Sequence, residues 1–332
     1  MSNGHVYRWI ESPQVSAYAR AGNPLEMKMN QRIRKHVFDQ PFEVGLLGIP
    51  LSRSSISASA ASEFPQALRL AWKYFATYNI DLDVDLNDLA IVDLGDIRMH
   101  MTDVFQCHQN IEAGIQEVLS VNPPFLPILI GGDHSVTCPL VQGIQKHFGN
   151  GSIGIIQFDT HFDLRDPGIW GAANGTPIRG LIESGAVKGE HVVNIGLHGY
   201  YNTYSLKQFA DEHKVKYVTL REVRKKGIEQ VVLEAIGYPT KQVERIYITV
   251  DMDVLDMAFA PGVPASTPGG LYSWELFEAL YLLGKQERVC AMDIVELDPN
   301  RDHQQLITVK TGAHLILNFL CGYKGRGKKE TF

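Results

Sequence analysis

Two short acidic runs, Asp159-Thr160-His161-Phe162-Asp163 and Asp251-Met252-Asp253, each close an apolar stretch with carboxylate or imidazole side chains on alternate residues. In an extended chain residues i, i+2 and i+4 project to one side, whereas a helix scatters them around its cylinder. Read as the ends of buried strands, the runs point Asp159, His161 and Asp163 together. His134, in Gly131-Gly132-Asp133-His134-Ser135, completes a set of two imidazoles and four carboxylates with Asp159, His161, Asp163, Asp251 and Asp253. This mixed nitrogen and oxygen set suits Mn(II), Co(II), Ni(II) or Zn(II). Four converging carboxylates without a counter-charge would raise one another's pKa until some protonate, and two divalent cations would cancel that charge. Sharing of Asp159 and Asp251 would hold two ions roughly 3.5–4 Å apart, close enough to share a hydroxide. A single aspartate after a strand is better read as a helix cap or turn residue, but six ligands in this pattern read as a two-metal hydrolytic site.

Such a cluster needs a sheet to carry it. Short β-type runs alternate with helical patterns from about residue 43 onward, which predicts βαβ units and a mainly parallel sheet. The strands are expected at 44–49, 89–94, 126–130, 152–158, 192–197, 216–220, 246–250 and 289–294, and the helices at 103–121, 135–148, 205–213, 221–236, 273–285 and 302–320. Ser273 and Asp302 are the expected N-caps, with Gln305 three residues beyond Asp302. Right-handed crossovers collect ligand sites beyond the carboxyl ends of the strands, where all the motifs fall. Glu296 ends another strand in the same region, placed to grip an amidinium or guanidinium through paired hydrogen bonds.

Of the 332 residues 45% are hydrophobic and 20% charged, which excludes a disordered chain and supports one continuous α/β core. A net charge of −6 argues against a nucleic-acid partner, and no run is long enough for a membrane-spanning helix. Cys107, Cys138, Cys290 and Cys321 follow no CxxC pattern and are expected as reduced thiols of a cytoplasmic protein. The division expected is an N-terminal segment at 1–40 wrapping the surface, a single α/β domain at 41–322 and a basic tail at 323–332.

Together these motifs resemble the ureohydrolase superfamily, which includes arginase, agmatinase, guanidinobutyrase and formimidoylglutamase. Gly131 to Ser135 resembles its first ligand motif, Asp159 to Asp163 its Asp-Ala-His-x-Asp, and Asp251 to Asp256 its third, over roughly residues 40 to 320. The resemblance implies a three-layer α/β/α sandwich around an eight-stranded, mainly parallel sheet, assembled as homo-trimers or homo-hexamers. It implies two divalent ions per chain, Mn2+ first and Ni2+ or Co2+ compatible with the same donors. One would be held by His134, Asp159, Asp163 and Asp251, the other by Asp159, His161, Asp251 and Asp253. By the same resemblance Asp163 orients the attacking water and carries its proton to the leaving amine, and Glu296 holds the cationic nitrogens of a small amidine or guanidine.

Arginases and agmatinases carry a His just before the Gly-x-Pro that follows the second motif; this chain reads Asn174-Gly175-Thr176-Pro177. The Asn-Gly-Thr-Pro-x-Arg run from Asn174 to Arg179 resembles bacillus-type formimidoylglutamases, so the leading expectation is hydrolysis of N-formimidoyl-L-glutamate to L-glutamate and formamide. Asn174 enters the expected site in the place of the proton-shuttling His. The family tends to place an Arg where this chain has His198, and Arg165 and Arg179 are the candidates to replace its carboxylate clamp. Thr160, where the family has Ala, adds a hydroxyl to engage a group behind the ligands. Trp170, Tyr200 and Tyr201 are expected as an aromatic wall, which would suit an alkylated or cationic substrate. That wall motivates the alternative of a guanidine or biguanide hydrolase, nickel-dependent, releasing urea or guanylurea. A second alternative is a noncatalytic paralogue partnering an active subunit in a hetero-oligomer.

Overall fold

The computed structural model describes residues 6–14, 23, 25–38, 40–149, 151–240 and 243–327. Eight parallel strands fall on the eight expected runs: β1 (Val44–Gly48), β2 (Ile91–Ile97), β3 (Leu126–Ile130), β4 (Ile153–Phe158), β5 (Val192–Leu197), β6 (Lys216–Thr219), β7 (Arg245–Asp251) and β8 (Val289–Val295). They lie in the order β2-β1-β3-β8-β7-β4-β5-β6. The four strands that lead into the chemical motifs, β3, β8, β7 and β4, are therefore neighbours at the centre of the sheet. At about 4.8 Å between strands, that adjacency brings four loops from distant parts of the chain within side-chain reach.

Helices cover both faces because both faces of a parallel sheet are apolar. On one face α1 (Phe64–Ala71), α6 (Leu220–Lys226), α7 (Ile228–Thr240), α8 (Ser273–Gly284) and α9 (Ile307–Lys324) pack over Ile156, Phe158, Ile246, Ile248 and Val250. On the other α2 (Val104–Val121), α3 (Thr137–Phe148), α4 (Pro177–Glu183) and α5 (Tyr204–Glu212) pack over Ile153, Ile155 and Tyr247. Successive residues of β4 and β7 thus serve opposite cores, as the two-residue period of a strand requires.

Helix boundaries depart from expectation where local chemistry decides them. The helix expected at 221–236 breaks into α6 and α7 at Gly227, whose φ of 83° is accessible mainly to glycine. The segment expected to become helical at Asp302 begins only at Ile307; Asp302 still caps α9 from outside, its carboxylate accepting from the Thr308 and Val309 amides at 3.0 Å each. Ser273 is the first residue of α8 rather than its cap. Helices α1 and α4 were not anticipated.

The N-terminal segment does more than wrap. Ile10–Glu11 pairs antiparallel and Arg34–Lys35 parallel with β2, and Ile10, Met29 and Ile33 are buried. Residues 1–5, 15–22, 24 and 39 of that segment lie outside the described residues, as do 328–332 of the expected basic tail. Before them Lys324 belongs to α9, and Arg326 donates to the Gly284 carbonyl at 2.8 Å. The four cysteines are free thiols, and among the described residues no helix is long and apolar enough to cross a membrane.

Candidate metal centre

The side chain of His134, just beyond β3, meets those that follow β4 and β7. Its Nδ1 lies 3.2 Å from Asp159 Oδ2, 2.6 Å from Asp163 Oδ2 and 3.2 Å from Asp251 Oδ2. His161 Nδ1 lies 2.8 Å from Asp253 Oδ2 and 3.6 Å from Asp159 Oδ1. The ligand atoms of His134, Asp159 and Asp163 all fall within 4.8 Å of one another, as do those of Asp159, His161 and Asp253. Asp159 belongs to both groups, and Asp251 adjoins the first through its contact with His134.

The nitrogen and carboxylate oxygens facing one another fit cations better than they fit hydrogen bonds. His134 Nδ1 and Asp163 Oδ2 are buried and neither makes a hydrogen bond, an arrangement that costs free energy unless a positive charge sits between them. Their protonation carries the same signal. Burial and the neighbouring Asp159 charge push Asp163 up to about 7, and burial with Asp253 and Asp159 raises Asp251 well above the carboxylate range. His161, which burial alone would lower, is lifted to about 12 by Asp253 and Asp159. A cluster left to itself holds protons in the places that divalent ions would take.

A layer of hydrogen bonds behind the cluster fixes the ligands. Thr249 Oγ1 lies 2.9 Å from His134 Nε2, leaving Nδ1 to face the carboxylates. Gln157 Nε2 donates to Asp159 Oδ2 at 2.7 Å, and the Asp253 amide donates to Asp251 Oδ1 at 2.8 Å. The Thr160 amide donates to Asp253 Oδ1 at 3.1 Å and its hydroxyl to the Asp253 carbonyl at 2.8 Å, so the extra hydroxyl of this chain ties the β4 loop to the β7 loop. Asp163 and Glu296 both hold left-handed backbone conformations, with φ of 55° and 64°, a strain uncommon for non-glycine residues and recurrent at functional sites, although Asp83, Lys214 and Leu306 hold it elsewhere.

Glu296 lines the same pocket and is 3% exposed. Its Oε1 accepts from the His134 amide at 2.8 Å and from Asn174 Nδ2 at 3.1 Å, while Oε2 has no partner. Burial and the nearby Asp133 charge raise it to about 8. Asn174 is fully engaged: besides Glu296 it donates to Ser55 Oγ at 3.2 Å, and its Oδ1 accepts from the Ile56 amide at 2.9 Å. An amide so committed, and without a titratable proton, positions Glu296 rather than shuttling protons.

These groups line a cavity of about 100 Å³ shared by His161, Asp163, Asp251, Asp253, Glu296, Asn174 and Arg165. Four of the residues expected to bind substrate do not line it. Trp170 lies beneath the Arg165 guanidinium, 5.3 Å from its ring centroid, and faces a neighbouring cavity. Arg179 is spent on Asp166 and Glu183, at 3.0 and 2.7 Å. His198 lies 2.9 Å from the Gly196 carbonyl and 3.2 Å from Thr267 Oγ1. Tyr200 projects fully into solvent, and the aromatic wall is Tyr201, edge-on to His161 and to His198. Ile56, Ser57, Asn202, Leu206 and Ala265 also line the pocket and were not anticipated. The serine-rich run from Ser52 to Ser57 directly after β1 was the available signal, since it shares the carboxyl edge with the ligand motifs.

Comparison with known proteins agrees with this geometry. The family model described as "Arginase family" matches residues 42–322. The formimidoylglutamase of Halalkalibacterium halodurans is 43% identical over 278 residues, covering 84% of this chain and 86% of that protein. The crystal structure of the Bacillus subtilis formimidoylglutamase superposes with a TM-score of 0.88 at 34% identity, over 93% of this chain and 95% of that one. A variant of Trypanosoma cruzi formiminoglutamase solved with Mn2+ superposes with a TM-score of 0.82 at 25% identity, over 91% and 99%. With its ligand motifs and Glu296 gathered beyond four adjacent strands and this likeness along most of its length, the chain belongs to the arginase family.

Proposed function

We propose that the protein hydrolyses N-formimidoyl-L-glutamate to L-glutamate and formamide, with His134, Asp159, His161, Asp163, Asp251 and Asp253 holding two divalent ions, Mn2+ foremost. The single observation that carries the reading is the pair of Asp/His groups sharing Asp159, in one pocket with a Glu296 whose Oε2 is buried and unpaired. Two such ions supply Lewis acidity: they offset the carboxylate charge and acidify a water. The remaining steps belong to the chain. Glu296 Oε2 accepts from the N–H groups of the substrate amidinium and fixes the plane of its carbon. Asp163 orients the attacking water, takes its proton on the carboxylate and passes it to the glutamate nitrogen as the bond from that nitrogen to the amidine carbon breaks. Arg165 faces the same pocket and binds a carboxylate of the substrate. Similarity to formimidoylglutamases, together with Asn174 locked onto Glu296 where a shuttling His would stand, favours an amidine over a guanidine substrate.

We further propose one catalytic unit at 41–322, a homo-trimer or homo-hexamer by light scattering, and a cytoplasmic location that keeps the four free thiols reduced. The test of the reaction is a substrate panel. Metal-loaded protein releases formamide from formimidoylglutamate and little urea from agmatine, guanidinobutyrate or arginine; turnover of a guanidine alone contradicts the reading.

A further inference from the structure

We propose that Asp293 is a positioning residue for the ion held through His134: it accepts the Thr249 hydroxyl, so that Thr249 in turn accepts from His134 Nε2 and leaves Nδ1 as the metal ligand. The inference rests on the two-metal reading above and is independent of the substrate. In the register of the sheet Asn194, Gln157, Thr249 and Asp293 form one row across the neighbouring strands β5, β4, β7 and β8. All four are buried, beside an apolar core that includes Ile155, Tyr247 and Ala291. Three of them touch residues of the ligand set. Asn194 Nδ2 donates to the His161 carbonyl at 2.7 Å, Gln157 Nε2 donates to Asp159 Oδ2 at 2.7 Å, and Thr249 Oγ1 lies 2.9 Å from His134 Nε2. Asp293 makes no hydrogen bond to a ligand residue among the described residues; it stands beside Thr249 as its register partner.

A carboxylate inside a sheet costs free energy unless donors converge on it, and here they do. Tyr247 Oη donates to Asp293 Oδ2 at 2.6 Å and Thr137 Oγ1, at the start of α3, donates to it at 2.7 Å. Burial raises the Asp293 carboxyl above its ordinary value, while the His134 charge and hydrogen bonds from Thr249, Tyr247 and Thr137 draw it back. These contacts set the direction of the hydroxyl protons. Thr137 lies 3.4 Å from Thr249 but directs its proton to Asp293. Thr249 also has a single proton, and a carboxylate accepts it more strongly than an imidazole nitrogen does. The Thr249 lone pairs then face Nε2 and accept its N–H. An imidazole protonated at Nε2 presents its lone pair at Nδ1, the atom that faces Asp159, Asp163 and Asp251. Without Asp293, Thr249 is free to donate to Nε2 and so to favour the tautomer that cannot bind metal through Nδ1.

The test measures Mn2+ affinity by competition with a chelator, with elemental analysis for the number of ions, in wild type, Asp293→Asn, Thr249→Val, their double variant and Tyr247→Phe. Asp293→Asn weakens one of the two ions about 10-fold and leaves the other within about 2-fold. In the Thr249→Val background the same substitution adds less than about 2-fold, because its effect passes through that hydroxyl. Tyr247→Phe removes a donor from Asp293 without touching Thr249; it lowers Tm and shifts neither affinity by more than about 2-fold. Unchanged affinities in Asp293→Asn, equal weakening of both ions, or an Asp293→Asn effect that adds in full to that of Thr249→Val overturns the proposal. Should Asp293→Asn fail to fold, nitrogen NMR of the Zn2+-loaded wild type decides. His134 bound at Nδ1, with an Nε2 proton protected from exchange, supports the proposal; binding through Nε2, or a freely exchanging Nε2 proton, overturns it. Wild type that binds no ion overturns the two-metal reading and this proposal with it. Ions bound without formamide release from formimidoylglutamate count against the substrate reading alone, and the affinities still decide the role of Asp293.

Discussion

Replacing Glu296 with Gln separates the electrostatics of the pocket from its architecture. A glutamine carbonyl in the place of Oε1 still accepts from the His134 amide and Asn174, now at 2.8 and 3.1 Å, so the loop after β8 keeps its anchors. What changes is Oε2, buried and unpaired, which becomes an NH2 aimed at the N–H groups of an amidinium. Losing a charge-assisted hydrogen bond and setting donor against donor costs about 2–4 kcal/mol of transition-state binding. At about 1.4 kcal/mol per factor of ten, kcat/KM falls about 30- to 1000-fold. Stability moves the other way. The Glu296 carboxyl sits at about 8 in the fold and near its ordinary value of about 4.3 in the unfolded chain, so the folded state alone retains the proton between those values. Its contribution to stability therefore declines as pH rises from about 4 to about 8, and glutamine removes that decline. Formamide release measured by steady-state kinetics, with melting of the metal-free protein across this pH range, checks both. Activity within about 5-fold of wild type, or a variant less stable than wild type at about pH 8, refutes the reasoning.

Asp253→Ala, which removes the partner 2.8 Å from His161 Nδ1, is expected to bind one ion fewer by elemental analysis and to lose turnover while keeping its circular dichroism. Thr249→Val deletes the hydroxyl 2.9 Å from His134 Nε2 at nearly constant volume; metal affinity by competition with a chelator should weaken about 10- to 100-fold. Metal and protons compete at Asp163, raised to about 7, and at His161, raised to about 12. The folded, metal-free cluster holds more protons than the unfolded chain through this range, so its stability declines with rising pH. Added Mn2+ should consequently raise Tm more at about pH 8 than at about pH 5.5 in differential scanning fluorimetry.

The strands and the gathering of the Asp and His side chains were legible because both depend on period and side-chain type within a few residues. Asp159, His161 and Asp163 alternate after an apolar run, and β4 ends at Phe158, immediately before them. The pocket walls were harder to read, because which way Trp170, Arg179, His198 or Tyr200 points depends on partners far along the chain. Arg179 looked free in the sequence, yet Asp166 and Glu183 claim it. Tyr201 and Tyr200 are indistinguishable as residue types; one leans on His161 and its neighbour meets solvent. Gly175 appears in the sequence only as part of the Asn-Gly-Thr-Pro run, and its closeness to the Arg165 side chain shows only in the fold. Asp302 had the right chemistry for a cap, but it reaches Thr308 and Val309 across a loop that no local pattern predicts.

The reaction proposed for the cluster is tested most directly by the products formed from N-formimidoyl-L-glutamate by metal-loaded protein. Attack of water at the amidine carbon with departure of the glutamate nitrogen yields formamide and L-glutamate in equal amounts, dependent on Mn2+ and abolished in Asp253→Ala. Ammonia with N-formyl-L-glutamate, or undiminished turnover after the ions are stripped, would contradict it.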